Sequence, residues 1–384
     1  MKPAIVTPWL GKLSETFIYN HVMGLIDLDP MVVCLHRENE DIFPADGVDV
    51  RVLPASPPPL LQRLWERIPA KIRGEWWSWY ARDAKLAAEW AVERGATVAL
   101  AEYGSTGLAI ANAVRDAGIP LVVHFHGHDA SRALRHAGYV RGLRQLYKQA
   151  AALIVVADKM KANLAGAGAP ESIIHKIPYG VDTLAIRVPE RKGRDHVTFL
   201  HVGRLWEKKG IFETLRAFAA VAEGNSNVGL RVIGEGGLRA SAEAMAMELG
   251  IAGSVCFLGA LPHARVMEEM SAADVFVLHS VTAPDGDEEG LPVSILEAAA
   301  HGLPIVSTRH AGIVEEVVEG QTGYLVDEHD VEAYADAMAA LAEDAALRKS
   351  MGTAGRNLVE ESFDRRRQLA GLGSLLREIA GGAC

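Results

Sequence analysis

The stretch TFLHVGRLWEKKG, residues 198–210, carries the clearest signal of how this chain folds. Thr198–Val202 is a short, mostly apolar run that ends at Gly203, which is typical of a buried strand. A helical pattern begins at residue 211, directly after Gly210. A strand, a glycine-bounded loop and a helix in this order indicate an α/β fold with parallel strands.

The same alternation recurs on both sides of this stretch. In the first half, we predict strands at Ala4–Thr7, Met31–Leu35, Val98–Ala101, Leu121–Phe125 and Leu153–Val156, and helices at 82–94, 106–117 and 139–151. In the second half, we predict strands at Thr198–Val202, Gly229–Ile233, Val255–Leu258, Val275–Leu278 and Pro304–Ser307, and helices at 211–222, 238–249, 263–270, 292–300, 313–318 and 330–342. The polar stretch Val188–His196 separates the two sets, and a last helix is predicted at Asp364–Ala380. The pattern predicts two facing Rossmann-like domains, with ligands bound in the cleft at the carboxyl ends of the strands.

Composition and charge exclude several classes of protein. The chain has 384 residues, of which 49% are hydrophobic, so two domains with separate cores can form. Residues 1–183 carry 20 Lys and Arg against 19 Asp and Glu, whereas the remainder carries 19 against 30. An acidic chain is a poor general nucleic-acid binder, so no nucleic-acid partner is expected.

Three widely separated cysteines (Cys34, Cys256 and Cys384) indicate a reduced, cytoplasmic protein without a disulfide framework. No apolar segment approaches 18 residues, so no transmembrane helix is expected. The apolar run at the N-terminus is also too short for a signal peptide.

Arg204 and Lys209 lie five positions apart on the loop that follows Thr198–Val202. Arg offers a planar fork and Lys a point charge, so both can reach one diphosphate in the cleft and neutralise it without a metal. The alternative is a solvated, charged turn.

Two carboxylates, Glu289 and Glu297, lie eight positions apart around the turn Gly290-Leu291-Pro292 and the helix that begins near Val293. A helix N-terminus presents backbone N–H groups and a positive dipole end, which suit a phosphate. The carboxylates can accept hydrogen bonds from sugar or ribose hydroxyls. The segment therefore offers anchors for the three parts of a nucleotide-sugar.

The strand end LVVHFHGHD, residues 121–129, places histidines at 124, 126 and 128. Alternate residues of a strand share a face, so this spacing permits a metal site, although we expect none. His126 is expected to project into the cleft, where it can contact a sugar, and His124 to be structural.

Weaker motifs surround these segments. Gly11 lets its loop approach a ligand closely, while Ser14 is a candidate helix N-cap and Phe17 a candidate core residue. Gly234 is expected in a tight turn that lines the nucleotide pocket. The pair Asp285 and Asp287 resembles a metal site, but a solvated acidic loop is the preferred interpretation.

Residues 58–80 combine four tryptophans with basic side chains. Tryptophans beside cations suit a membrane interface, so peripheral contact with the inner face of the membrane is one interpretation. The other is a helix packed on the N-terminal core with a solvated basic side.

Together these motifs resemble those of the retaining glycosyltransferases of family 4, which have the GT-B fold. The resemblance covers nearly the whole chain and rests on Glu289 and Glu297, on Arg204 and Lys209, and on the FHGHD strand end. Segments 13–18, 126–129 and 285–292 are similar to the exopolysaccharide branch, the colanic-acid-type transferases.

The resemblance implies domains at 1–185 and 186–363, for the acceptor and the nucleotide-sugar donor respectively, with the terminal helix 364–384 crossing back onto the first domain. It implies that Arg204 and Lys209 hold the donor diphosphate, that Glu289 contacts the sugar hydroxyls and that Glu297 contacts the ribose. Further donor contacts are implied for His126 beside the sugar, for the backbone at Gly11 and at Gly290, Leu291, Pro292 and Val293, and for the turn with Gly259 and Leu261 around the base. The family requires no metal or other cofactor.

The leading hypothesis is transfer of a sugar from a UDP- or GDP-sugar to a glycan or lipid-linked acceptor. A sugar-nucleotide epimerase on the same fold, a glycosidase and a non-catalytic sugar-nucleotide-binding protein are alternatives. The epimerase would need no acceptor, and the glycosidase would leave the phosphate-binding groups idle.

Overall fold

The computed structural model describes residues 1–53, 79, 81–190 and 196–382. The chain divides into two compact units, Met1–Pro178 with Arg366–Cys384, and Tyr179–Arg365. The tryptophan-rich segment 58–80 lies outside the described residues, apart from Trp79, which is buried. None of the helices in the described ranges is both long and apolar enough to span a bilayer.

The first unit is built on a seven-stranded sheet in which every pairing is parallel, with the order β3-β2-β1-β4-β5-β6-β7. Its strands are β1 (Pro3–Leu10), β2 (Met31–Arg37), β3 (Asp49–Val52), β4 (Val98–Glu102), β5 (Leu121–His124), β6 (Ala150–Val155) and β7 (Ile174–Lys176). Its helices are α1 (Thr16–Gly24), α2 (Ala81–Glu93), α3 (Gly104–Asp116), α4 (Ala137–Leu146) and α5 (Asp158–Gly166). The strand order reverses between β1 and β4, which is where sheets of this kind bind ligands.

The second unit repeats this design with a six-stranded parallel sheet of order β10-β9-β8-β11-β12-β13. Its strands are β8 (Val197–Val202), β9 (Val228–Ile233), β10 (Val255–Gly259), β11 (Val275–Leu278), β12 (Ile305–Thr308) and β13 (Gly323–Val326). Its helices are α6 (Ile211–Gly224), α7 (Arg239–Glu248), α8 (His263–Ala272), α9 (Val293–Ala300), α10 (Ile313–Glu316), α11 (Val331–Glu343) and α12 (Ala345–Ser362). Here the order reverses between β8 and β11.

The last helix, α13 (Arg365–Gly381), belongs almost entirely to the first unit. Leu372 and Leu376 are buried in the same core as Ile5 of β1 and Leu100 of β4. The first sheet is therefore completed by a helix from the opposite end of the chain, which confirms the predicted crossing. Two parallel-sheet Rossmann-like units are likewise confirmed.

Several element predictions were wrong. The helix predicted at 139–151 ends at Leu146, because the alanine-rich run that begins at Ala150 is buried in the sheet as β6. The elements β3, β7, β13, α1, α5 and α12 were missed. In α12, Gly352 and Gly355 interrupt the helical pattern, but a Cβ at Gly352 would lie only 2.0 Å from the backbone oxygen of Gly302. Gly352 is therefore explained by the close packing of α12 on the backbone at Gly302, and the helix continues through it.

Candidate functional site

In the second unit, the loops after β8 and β11 meet at the switch point of the sheet. The Lys209 ammonium lies 3.1 Å from Glu289 Oε1. The neighbouring Lys208 Nζ lies 3.1 Å from Asp287 Oδ2 and donates to the Glu288 carbonyl oxygen at 3.2 Å. Two lysines of one loop thus contact three successive residues of the other loop. These contacts bring together Lys209, which is predicted to bind the diphosphate, and Glu289, which is predicted to bind the sugar.

Glycine at position 210 permits this close approach. Gly210 has a φ of 55°, and a Cβ there would lie 1.7 Å from the backbone oxygen of His279. The Val281 amide also donates to the Lys208 carbonyl at 3.0 Å. Any larger residue at 210 would separate the two loops and displace Lys209 from Glu289.

Glu289 is ionised despite its burial. Burial alone would raise its pKa, but the charges of Lys209 and then Lys208 lower the pKa of Glu289 to about 2. Its carboxylate is therefore an acceptor of hydrogen bonds over the whole physiological pH range.

The backbone of Glu289 is held by residues that the sequence did not reveal. Its N–H donates to His310 Nε2 at 3.0 Å, so His310 carries its proton on Nδ1, which donates to Glu328 Oε1 at 2.6 Å. Glu328 also accepts from the Thr282 N–H at 2.7 Å. His310 follows β12 and Glu328 follows β13, so the rule that ligands gather at strand carboxyl ends could have identified both.

The other predicted phosphate-binding groups lie on the same two loops or directly after them. Arg204 is exposed, and the part of the chain that the structure describes provides it with no ion-pair partner. Helix α9 begins after Pro292 without a side-chain cap, as a phosphate-binding N-terminus requires. Gly290 and Leu291 are buried beside it.

Glu297 lies on α9 and pairs with a second residue that sequence reasoning missed. His263 Nε2 lies 2.8 Å from Glu297 Oε1. This hydrogen bond raises the pKa of His263, although burial opposes the shift. His263 thus orients the Glu297 carboxylate in the absence of a ribose.

Three glycines, Gly203, Gly234 and Gly259, lie at the carboxyl ends of β8, β9 and β10. A Cβ at Gly234, which has a φ of 141°, would lie 1.9 Å from the Gly203 oxygen. Its amide donates to the Gly259 oxygen at 2.9 Å, and Leu261 follows half-buried. Gly234 thus lies in the short loop between β9 and α7, and its place beside the nucleotide stays a prediction.

Gly11 packs closely on its own chain, since a Cβ there would lie 2.0 Å from the Glu38 oxygen, and its contact with a ligand stays a prediction. Two other sequence interpretations need correction. Ser14 is not the cap of α1, because Glu15 occupies that position and makes no side-chain capping bond. Asp287 does not belong to a solvated loop, because Lys208 pairs with it, whereas Asp285 is exposed as predicted.

In the first unit, His126 is buried two residues beyond the end of β5. Its Nε2 lies 3.0 Å from Glu102 Oε2, and His21 Nδ1 lies 2.8 Å from Glu102 Oε1. His124 is also buried, and burial lowers its pKa to about 3, so its ring is neutral. Sequence reasoning missed Glu102 and His21, although Glu102 ends a strand at a switch point.

The three histidines of the strand end do not converge, because His128 is exposed. A different trio, His21, Glu102 and His124, has potential ligand atoms within 4.8 Å of one another. The 2.8 Å separation of His21 from Glu102 is a hydrogen-bond distance. The absence of a metal therefore remains a prediction.

Comparisons with known proteins give the family. Residues 14–184 match the model of Glycosyltransferase Family 4, and residues 182–358 match that of Glycosyl transferases group 1. A putative colanic acid biosynthesis glycosyltransferase, WcaL of Salmonella typhimurium, is 30% identical over 74% of this chain and 71% of its own length. The chain belongs to the family 4 glycosyltransferases.

Two further comparisons concern another relative of this glycosyltransferase and a solved structure. A GDP-mannose-dependent phosphatidylinositol monomannoside mannosyltransferase of Mycolicibacterium smegmatis is 30% identical over 67% of this chain and 69% of its own length. The structure of Anabaena HepE in complex with UDP and glucose superposes with a TM-score of 0.78 over 98% of this chain and all of HepE, at 20% identity. The fold is thus that of GT-B enzymes, and the family match favours transfer over the epimerase, glycosidase and binding-protein alternatives.

Glu316 is a buried carboxyl group that no pattern in the sequence indicated. It ends α10, is 1% exposed, and neither oxygen has a hydrogen-bond partner among the described residues. Burial and then the charge of Glu289 raise the pKa of Glu316 well above its usual range. The folded protein therefore keeps this group protonated where the unfolded chain ionises it.

We predict that Glu316→Gln removes a pH-dependent loss of stability. A raised carboxyl pKa costs nothing below about pH 4 but destabilises the fold as the pH rises above it, by about 1.4 kcal/mol per pH unit until the folded pKa is reached. In urea unfolding, the free energy of unfolding of the variant relative to that of the wild type should be higher at pH 8 than at pH 5. The exposed Glu343→Gln serves as control. An equal difference at both pH values would mean that Glu316 titrates normally.

Proposed function

We propose that this glycosyltransferase moves a sugar from a nucleotide-sugar donor to a glycan or lipid-linked acceptor, with retention of configuration, in polysaccharide or glycolipid biosynthesis. The observation that carries the proposal is the Lys209–Glu289 pair at the switch point of the second unit. The relatives' names support it, since they include a colanic acid biosynthesis enzyme and a GDP-mannose-dependent enzyme. UDP- and GDP-sugars are therefore the proposed donors.

The second unit supplies the groups that a donor requires. Arg204, Lys209 and the uncapped N-terminus of α9 would bind the diphosphate and stabilise the charge that develops as it leaves. The ionised Glu289 would accept hydrogen bonds from sugar hydroxyls, and Glu297 from the ribose. Gly234, Gly259 and Leu261 would line the base. These positive groups take the place of a metal ion in the proposal.

The reaction in this proposal needs no protein nucleophile. The bond from the anomeric carbon to the diphosphate breaks through an oxocarbenium-like state. The acceptor oxygen forms its bond on the same face, and its proton passes to an oxygen of the departing phosphate. Glu289 is unsuited to attack, because Lys209 lies 3.1 Å from its Oε1. The sugar contact proposed for His126 comes from the first unit.

The proposed function also includes the acceptor and the cellular location. A cytoplasmic enzyme that uses a lipid-linked acceptor would work at the inner face of the membrane. Co-sedimentation with anionic vesicles tests this part, and a protein that stays in the supernatant at low salt would contradict it.

Donor class and stereochemistry can be tested together. We expect a UDP- or GDP-sugar to raise the Tm, because a ligand that binds only the folded state stabilises it. With the stabilising α-linked donor, proton NMR should show the α-anomer as the first product, even in slow hydrolysis. A β-anomer formed first would contradict retention, and no Tm shift with any UDP-, GDP- or ADP-sugar would contradict the donor assignment.

Lys209→Gln is expected to lower kcat/KM by on the order of 10²–10³, because it removes a charge that stabilises the leaving diphosphate. Lys209→Arg keeps the charge and a partner for Glu289, so it should lose less. Steady-state kinetics with the donor identified above, beside circular dichroism to confirm folding, provide the measurement. Exposed Lys349→Gln is the control. A Lys209→Gln enzyme within twofold of the control would remove Lys209 from the donor site.

A further inference from the structure

We propose that Glu102 is a positioning residue that fixes the tautomer and the orientation of the His126 imidazole. The inference rests on the proposed function, in which His126 contacts the transferred sugar. Glu102 itself is the last residue of β4, fully buried beneath His126.

Groups other than Glu102 also restrict the backbone and the ring of His126. The Asp129 carboxylate accepts the His126 N–H at 2.6 Å and also accepts the Gly104 N–H. The imidazole contacts two aromatic rings, with centroid distances of 4.6 Å to Phe17 and 4.5 Å to Tyr103. Tyr103 has a φ of 75°, a conformation that residues other than glycine seldom adopt and that is found most often at functional sites.

Glu102 then determines which ring nitrogen carries the proton. Burial would raise its pKa, but His21, followed by His124 and His126, lowers the pKa of Glu102 well below its usual range. An ionised carboxylate only accepts hydrogen bonds, so His126 Nε2, at 3.0 Å, must carry hydrogen. His21 Nδ1, at 2.8 Å, must do the same on the other oxygen.

This tautomer has a chemical consequence. When Nε2 of a neutral imidazole carries the hydrogen, Nδ1 carries the lone pair and can only accept. With a neutral His126 ring, a sugar hydroxyl that meets Nδ1 would therefore donate its hydrogen. The carboxylate orients the acceptor without touching the substrate, as the aspartate of a Ser-His-Asp triad orients its histidine.

Nitrogen-15 NMR of histidine-labelled protein tests the assignment without any substrate. His126 is one of 14 histidines, and its signals are identified as those absent from His126→Gln. We expect proton coupling at Nε2 in the wild type at neutral pH. A His126 protonated only at Nδ1 would overturn the proposal. So would a stoichiometric transition metal in the purified enzyme by mass spectrometry, because Glu102 would then be a metal ligand.

Two variants of similar volume connect the tautomer to catalysis. Glu102→Leu removes the acceptor, so the Nδ1–H form of His126 should appear and kcat should fall by about 10–100-fold. Donor KM should change much less than kcat, because every proposed donor group other than His126 and Gly11 lies in the second unit. Glu102→Gln keeps one acceptor oxygen for two imidazoles and should have an intermediate kcat. The exposed neighbour His128→Gln is the matched control and should resemble wild type.

The outcomes separate this proposal from the proposed function. A fall in kcat with an unchanged His126 tautomer would reduce Glu102 to a packing role and overturn the inference. Wild-type kcat in both Glu102 variants would also overturn it. If the wild type turned over no donor, the proposed function would fail, yet the NMR measurement would still decide whether Glu102 positions His126.

Discussion

The ion pair between Lys209 and Glu289 is the interaction on which the second unit's site depends. Removing a carboxylate and an ammonium from water costs several kcal/mol per ion, and only close pairing with further hydrogen bonds offsets that cost. The surrounding structure supplies this pairing: Gly210 lets the two loops touch, Lys208 binds the Asp287 side chain, and His310 accepts the Glu289 N–H. The pair keeps a strong hydrogen-bond acceptor beside a cation, which suits a ligand that has both hydroxyls and phosphates.

The first unit treats a buried carboxylate differently. Glu102 is surrounded by imidazoles instead of a lysine, and His124 among them is neutral. Glu102 is therefore not paired with a permanent cation such as a lysine. It instead accepts hydrogen bonds from the surrounding imidazoles and orients them. Both carboxylates lie at the switch point of their own sheet, Glu102 as the last residue of β4 in the first unit and Glu289 after β11 in the second. Each unit thus places its ionised group where the strand order reverses.

Sequence reasoning found the groups that lie close together along the chain and missed those that only the fold brings together. Arg204, Lys209, Glu289 and Glu297 lie in short motifs, and the structure brings Lys209 and Glu289 into contact. His310 and Glu328 are separated from Glu289 by whole strand–helix units, so their spacing carried no signal. Glu316 was missed for another reason: a carboxylate in a helix normally indicates a solvated face, and only the packing shows it to be buried.

The same distinction explains the fold predictions. The buried strands of a parallel sheet are continuous apolar runs, and most were located within a few residues. The short edge strands β3 and β7 and the glycine-containing helix α12 lack such a signal, because tertiary packing determines them. The contacts of Gly11 with Glu38 and of His126 with Glu102 likewise join separate segments of the chain, so no local pattern indicated them.

Hydrogen–deuterium exchange with saturating UDP or GDP tests the central claim most directly. The claim is that the loops joined by Lys209 and Glu289 form the donor diphosphate site. One of the two nucleotides should slow exchange in peptides covering residues 203–211 and 285–297. Protection confined to the first unit, or no protection from either nucleotide, would contradict it.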